Sequence, residues 1–414
     1  MSARFERLLA SVAVGLIGLS LGGACSGDDN PEITKHKVDA GGSGGTAGDG
    51  GKPDGSGGNG ADDAGIDADV GDAPLSPIRL GIMPVAPSAG DAGPTPADEK
   101  LAQLDVIALG SRGVSEVLRW DRLFEAPTIP VASEWARLKN LSQLYQGSGR
   151  SLLVCLALVD RSLDARPTGS AASWNDSATQ GALEALVDKV LATFGDELYA
   201  ISFGNELDRY FGSQSNKNAT ELAALVEHGI DYLKKHPAKP PSLRIGATFS
   251  TKALTSGASA SVKNIIDKSD VVVATYYPLD SSFAARAPSM VAQDLAGLLA
   301  AVEVDGAVPR PILLQAVGYP SAIESGSSPE QQKAFFQALF QSLTSRRERF
   351  PFVSVNGLND QRASACASEA AAVGAAGNVA AISAFCSLGL RGPAQTDKAA
   401  MGSVLDALAA FSTP

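Results

Sequence analysis

The chain has 414 residues, of which 44% are hydrophobic and 19% charged, with a formal net charge of −11. No basic patch of the kind that neutralises phosphates accompanies that acidity, so nucleic acid is excluded as an expected partner. The acidity is also local: residues 26–76 hold eleven acidic and three basic side chains, which leaves the remainder only mildly acidic.

The chain opens with Arg4 and Arg7, an apolar stretch from Leu8 to Leu21, and then Gly22-Gly23-Ala24-Cys25. This is the layout of a secretory signal, and the stretch is too short to span a bilayer as a helix. Cys25 after small residues resembles a bacterial lipoprotein cleavage box, with Gly22 where an aliphatic residue is usual and Leu21 one place early. Residues 1–25 are therefore read as a signal whose Cys25 is lipidated, tethering an exported chain to the outer membrane or cell surface without spanning it. The alternative is simple secretion after Ala24. Residues 26–76 are Gly, Asp, Ala, Ser and Pro with few large apolar side chains. They cannot bury enough surface to offset the entropy of ordering, and a flexible tether is expected.

From residue 77 to 414, short apolar runs alternate with amphipathic stretches, the pattern of a parallel sheet with crossover helices. The runs are Ile78 to Met83, Val114 to Arg119, Leu152 to Val159, Leu198 to Gly204, Leu243 to Phe249, Val271 to Tyr276, Ile312 to Gly318 and Phe352 to Leu358. Between them lie readable helix signals. Thr95-Pro96 with Asp98, and Ser328-Pro329 with Gln331, read as N-caps. Asn218 with Glu221 is read as opening a helix whose Leu222, Leu225, Val226, Ile230 and Leu233 share one face, and another carries Leu183 to Phe194 and stops at Gly195. Eight strand-helix units without a Gly-rich phosphate loop after the first strand predict an α/β fold, a (β/α)8 TIM barrel. A monomer is expected, although no sequence feature bears on oligomeric state.

In such barrels the site forms at the carboxyl ends of the strands. The side chains there are Arg119, Trp120 and Asp121; Asp160 and Arg161; Asn205 and Glu206; Tyr276, Tyr277 and Asp280; Ala316 and Tyr319; and Asn359 and Asp360. Carboxylates, amides and aromatic faces on one rim suit a carbohydrate, whose hydroxyls need polar partners and whose apolar faces stack on rings. No cofactor is expected. His228 and His236 lie in and at the end of one predicted helix, apart from any carboxylate cluster suited to a metal or a triad. Gly41-Gly42-Ser43-Gly44-Gly45 matches a hydrolase elbow only by letter, with no strand before it or helix after it. Cys155 is read as a buried hydrophobe, whereas Cys366 and Cys386 share one Ala-rich segment and are a candidate disulfide.

Three segments carry a resemblance. Ile201-Ser202-Phe203-Gly204-Asn205-Glu206, Thr275-Tyr276-Tyr277-Pro278-Leu279 and Val317-Gly318-Tyr319-Pro320-Ser321 resemble the fourth, sixth and seventh strands of clan A glycoside hydrolases, particularly endo-β-1,4-galactanases and β-1,3-glucanases. The resemblance implies that Glu206 is the general acid and base and that Asn205 holds the sugar's 2-hydroxyl. It also implies that Tyr276 or Tyr277 approaches the nucleophile and that Trp120 and Tyr319 line subsites, with Arg119 on the same rim; Trp120, Tyr276 and Tyr277 can equally be packing residues. It places Ala316 where the nucleophilic glutamate belongs. Retention needs a second carboxylate about 5 to 5.5 Å from the first, and a methyl group cannot attack. Gln315 is no nucleophile, and strand alternation directs it away from the face that residue 316 occupies. The eighth run also lacks the tryptophan that commonly floors the clan's sugar site.

The expected function is therefore binding, without cleavage, of a β-linked polysaccharide or oligosaccharide. A competing expectation is hydrolysis through a displaced acid such as Glu324, Asp160, Asp280 or Asp360, because an inverting scheme tolerates about 6.5 to 9.5 Å between carboxyls. A third is a structural surface protein that keeps only the scaffold.

Overall fold

The computed structural model describes residues 77–87, 93–171, 173–303 and 309–412. The expected signal, Cys25 and the tether lie outside the described residues. Eight strands run parallel: β1 (Arg79–Ile82), β2 (Gly113–Arg119), β3 (Ser151–Asp160), β4 (Leu198–Asn205), β5 (Arg244–Ser250), β6 (Val272–Tyr276), β7 (Ile312–Val317) and β8 (Phe352–Val355). Their hydrogen-bonded order is β1-β8-β7-β6-β5-β4-β3-β2. The two ends of that series meet where Arg112 N–H donates to the carbonyl of Leu80 at 2.8 Å. A Cβ on Gly81 would fall 1.5 Å from the carbonyl oxygen of Gly113, so the seam closes only because residue 81 has no side chain. The result is the expected TIM barrel, with each predicted strand within three residues of its observed bounds.

The principal crossover helices are α1 (Pro96–Ala108), α2 (Ala132–Ser148), α3 (Ser177–Phe194), α4 (Asn216–Lys235), α5 (Ala260–Lys268), α6 (Val291–Val302), α7 (Pro329–Thr344) and α8 (Ala399–Ala410). Thr95 and Asp98 form the expected reciprocal capping box, and Ser328 accepts from Gln331 N–H at 3.2 Å. The start of α4 differs from expectation. Its cap is Ser215, which accepts from the N–H of Asn218, while Glu221 instead accepts from Ser173 Oγ at 2.8 Å in the preceding loop. A serine three residues upstream outcompetes asparagine because its short hydroxyl already reaches a free first-turn N–H.

The principal core lies between the barrel and the helices, where Leu183, Leu186, Val187, Val190, Leu222, Leu225, Val226 and Ile230 are buried against strand residues such as Ile201 and Phe203. The barrel interior is graded. Its amino-terminal end holds Leu153, Tyr199, Val273, Leu313 and Phe352. The next layer is polar: Thr248 Oγ1 donates to Gln315 Oε1 at 2.8 Å and stands 2.9 Å from Ser202 Oγ, with the Cys155 sulfur nearby.

Gln315 thus faces the barrel interior, which corrects the expectation from simple alternation. The β6–β7 register slips between Leu314 and Ala316, so one extra residue is inserted and Gln315 and Ala316 both turn inward. A register slip also separates Leu314 from Val317 in the β7–β8 pairing.

Glu116 on β2 points outward, accepting the Tyr145 hydroxyl of α2 at 3.2 Å. Burial pushes its carboxyl up to about 7, against the opposing pull of Arg137. A raised carboxyl costs nothing below its unfolded value and progressively destabilises the fold as pH climbs toward 7. Replacement Glu116→Gln should therefore leave the unfolding free energy nearly unchanged at pH 4.5 and raise it at pH 8, by an amount on the order of 1–3 kcal/mol. Thermal unfolding at the two pH values measures this, and an equal effect at both would refute it.

Candidate functional site

The carboxyl ends of β3 and β4 set the site. Gly204 has φ +70°, and a Cβ there would meet Leu207 Cδ2 at 2.3 Å, so only glycine permits the turn that brings the next two residues over the barrel. Glu206 then takes a left-handed backbone, φ 56°, and Arg161 at the end of β3 does the same, also at φ 56°. Bulky residues avoid this region, and such strain persists where surrounding structure over-determines it, commonly at functional sites. Arg161 N–H donates to the Asn205 carbonyl at 2.7 Å, which locks the two strand ends together.

Glu206 is 2% exposed. One of its oxygens accepts the Thr275 hydroxyl at 2.6 Å, and the other accepts the Arg209 guanidinium and lies 3.8 Å from Arg161. Burial alone would push this carboxyl up, but Arg209, Arg161 and Thr275 together outweigh it and hold Glu206 below the ordinary glutamate range. Arg161 in turn binds Glu369 and lies 3.9 Å from Asp160. Asp160 also accepts from Asn205 Nδ2 at 2.9 Å and from Arg119 at 3.2 Å, and Arg119 pairs with both oxygens of Asp121. Gln315 Nε2 donates to Asn205 Oδ1 at 3.2 Å, so both ends of that amide are engaged.

Apart from Arg209 and Asp121, these groups line an inner cavity of about 270 Å³ together with Ala316, Tyr277, Asn356, Gln361 and Phe385. It adjoins an outer cavity of about 560 Å³, and the two share Arg161, Glu206, Thr275, Tyr277 and Phe385. Seven expected residues therefore gather at one place: Arg119, Asp160, Arg161, Asn205, Glu206, Tyr277 and Ala316. Ala316 presents only a methyl group.

Three expected sugar-lining rings do not join them. Trp120 is buried in the main core, Tyr276 donates its hydroxyl to Asp294 on α6 at 2.9 Å, and Tyr319 stacks on Phe335 of α7 at 4.7 Å. None of the three borders the Glu206 cavity, a correction that follows from side-chain alternation: Tyr276, one residue past the inward-facing Thr275, points to the helix layer. Of the two adjacent tyrosines, Tyr277 is the one at the site, its hydroxyl accepting from Asn356 Nδ2 at 2.8 Å. Among the alternative acids, Asp360 pairs with Lys398 at 2.6 Å, Glu324 accepts from Ser383 at 3.1 Å, and Asp280 caps its own turn by accepting from Ser282 and Ala284.

Sequence reasoning missed Glu369, Phe385, Asp208 and Arg209. Arg209 lies one helical turn beyond Glu206, a spacing that brings the two side chains together. Asp208 accepts from Ser250 N–H and Oγ, and burial beside Glu206 pushes it up to about 6. Glu369 and Phe385 come from an insertion between β8 and α8, with helices Ala363–Ala372 and Val379–Cys386 joined by a Cys366–Cys386 disulfide. The cysteine pair was the visible signal that this segment folds back on itself. Among the described residues, no group of three or more His, Cys, Asp or Glu side chains is arranged to hold a metal ion.

The depressed Glu206 carboxyl has a testable consequence. It contributes stability that is present above the unfolded pKa and lost as pH falls through the lower folded one. Glu206→Gln, which leaves the Arg209 guanidinium without its anion and takes one of three from Arg161, should cost about 3 kcal/mol at pH 7 and progressively less as pH drops below 4. Urea unfolding of both proteins across that range is the measurement; a pH-independent difference would contradict it.

No family model and no curated protein matches the chain. Solved structures do match. GH5_18 from Bifidobacterium longum subsp. longum ATCC 55813 superposes with a TM-score of 0.63 at 16% identity, over 82% of this chain and 80% of that one. GH5_18 from Streptomyces cattleya, in complex with GlcNAc, gives 0.60 at 18% identity over 82% of each chain. Exo-β-1,4-mannosidase Op5Man5 from Opitutaceae bacterium strain TAV5 gives 0.60 at 16% identity, over 81% of this chain and 60% of that one. A variant of the Bifidobacterium protein holds Manβ1-4GlcNAc. At these identities the likeness establishes the fold, and the fold is the TIM barrel on which these glycoside hydrolases are built.

Proposed function

We propose that this protein is a glycan-binding barrel of the clan A glycoside hydrolase type that holds a β-linked oligosaccharide or polysaccharide without cleaving it. The observation that carries the reading is Ala316. It faces the same cavity as Glu206, in the strand position where the resemblance puts the nucleophile, and it has no group that can attack an anomeric carbon. The other carboxylates of that cavity, Asp160 and Glu369, are paired with Arg119 and Arg161. Glu206 is held as a carboxylate, whereas a general acid needs its proton near the working pH. What remains is a polar cavity whose carboxylates are each paired with a guanidinium, suited to neutral hydroxyls.

A second reading, hydrolysis with a displaced acid, is supported by one feature. Glu369 lines the cavity with Glu206, and burial raises its carboxyl even against Arg161, so the two acids are pushed in opposite directions. Arg161 contacts both carboxylates, and this favours binding over cleavage. The layout of residues 1–25 supports export with a lipid anchor at Cys25, which would place the glycan outside the cell.

The direct test is calorimetric titration with β-glucan, β-galactan and Manβ1-4GlcNAc, alongside a reducing-sugar assay. Binding without product release is expected. Release abolished by Glu206→Gln or Glu369→Gln would establish the hydrolase instead, and neither binding nor release would leave a structural scaffold. Ala316→Glu should turn no detectable turnover into measurable hydrolysis of an activated aryl β-glycoside. That leaving group needs no proton, and the ionised Glu206 can then serve as the base that admits water. Azide should release the same aryl group from the unaltered protein, its terminal nitrogen bonding the anomeric carbon as the aryloxide leaves, so that the product is a glycosyl azide.

A further inference from the structure

Among the described residues, four that are not glycine have positive φ: Arg161, Glu206, Phe283 and Gln395. Three of the four line the joined cavities, and Phe283, at φ 65°, is the one with no charge to place there. An aromatic residue in this region is a conformational outlier that glycine or asparagine would relieve, so its presence here calls for a role.

The turn that presents it is firmly built. Leu279 and Ala285 form an antiparallel bridge, Asp280 N–H donates to the Ala284 carbonyl at 2.9 Å, and Phe283 N–H donates to the Asp280 carbonyl at 3.2 Å. Asp280 Oδ1 accepts the N–H groups of Ser282 and Ala284, at 2.8 and 2.9 Å. The turn is tied to the barrel mouth by Ala285 N–H, which donates to the Ser325 carbonyl at 2.8 Å.

Phe283 meets Phe385 edge to face, with centroids 6.4 Å apart, and these rings with Tyr277 and Val373 make one wall of the outer cavity. Several of the other lining groups are polar, among them Asp208, Arg209, Ser250, Lys252 and Ser256. Packing against the disulfide-bound insertion explains an apolar residue at 283 but not a flat one. A pyranose has an apolar C–H face and a rim of hydroxyls, and a fixed ring together with polar groups in one cavity matches both.

We propose that Phe283 is the stacking platform of a second sugar subsite, in the outer cavity beside Glu206, that takes the apolar face of a pyranose in a β-linked oligosaccharide. The proposal rests on the glycan-binding reading above and extends it: the ligand must span two connected cavities, so a monosaccharide fills only part of the site.

The test compares wild type, Phe283→Leu, Phe283→Asn and Phe283→Tyr by calorimetric titration with β-1,4-linked and β-1,3-linked tetrasaccharides and with the matching monosaccharides. Leucine keeps the packing volume, asparagine suits the positive φ, and both lack the ring. Each should weaken tetrasaccharide binding about tenfold and leave any monosaccharide binding in the inner cavity unchanged, while tyrosine keeps wild-type affinity. Melting temperatures identify any variant that has failed to fold, and a folded Asn variant suffices if Leu is lost. Wild-type affinity in a folded Leu or Asn variant overturns the platform, as does an equal loss for monosaccharide and tetrasaccharide. If wild-type protein binds none of these glycans, the glycan-binding reading itself falls, and the platform with it.

Discussion

The site depends on one guanidinium. Arg161 sits at the mouth of the barrel within reach of Asp160, Glu206 and Glu369, from three separate parts of the chain. Carboxylates gathered in a cleft repel one another and resist losing water, so without a central cation each would drift toward its protonated form. Burial works against the charge on Arg161, yet its three acidic neighbours outweigh that and hold it more firmly cationic than a free arginine. The guanidinium therefore holds the geometry of the cluster and helps keep Glu206 ionised, and Arg209 reinforces it on the Glu206 side. The left-handed backbone at Arg161 and at Glu206 is stabilised by this same set of contacts.

The barrel was legible in the sequence because its signals are local and repeated. Eight apolar runs separated by amphipathic segments, with caps at Thr95 and Ser328 and a stop at Gly195, lead to one topology. Misreadings came where two local signals compete or where a regular pattern breaks. Asn218 has capping chemistry, but Ser215 occupies the cap position. Gln315 obeys alternation in a regular strand, but the slip in β7 turns it inward, and nothing in Leu313-Leu314-Gln315-Ala316 announces an inserted residue.

The site was legible only in part, for a related reason. Positions that follow a strand directly, such as Asn205 and Glu206, are fixed by the strand itself. Trp120, Tyr276 and Tyr319 also follow strands, but an aromatic ring is as useful between barrel and helices as in a cleft, and residue type does not separate the two uses. Glu369 and Phe385 arrive from beyond the eighth strand in a segment whose path is set by a disulfide and by the packing of Cys366, Ala370, Ala381 and Leu388. Periodicity says nothing about where such an insertion comes to rest.

The slip in β7 divides labour between two neighbouring side chains. Gln315 knits the polar layer of the barrel to Asn205, while Ala316 only borders the ligand space. Structural duty therefore rests on one residue while the next only faces the cavity, so the second can change without disturbing the first. A scaffold organised this way can exchange the side chain at position 316 at little cost to its folding, leaving the character of the cavity free to drift while the barrel stays the same.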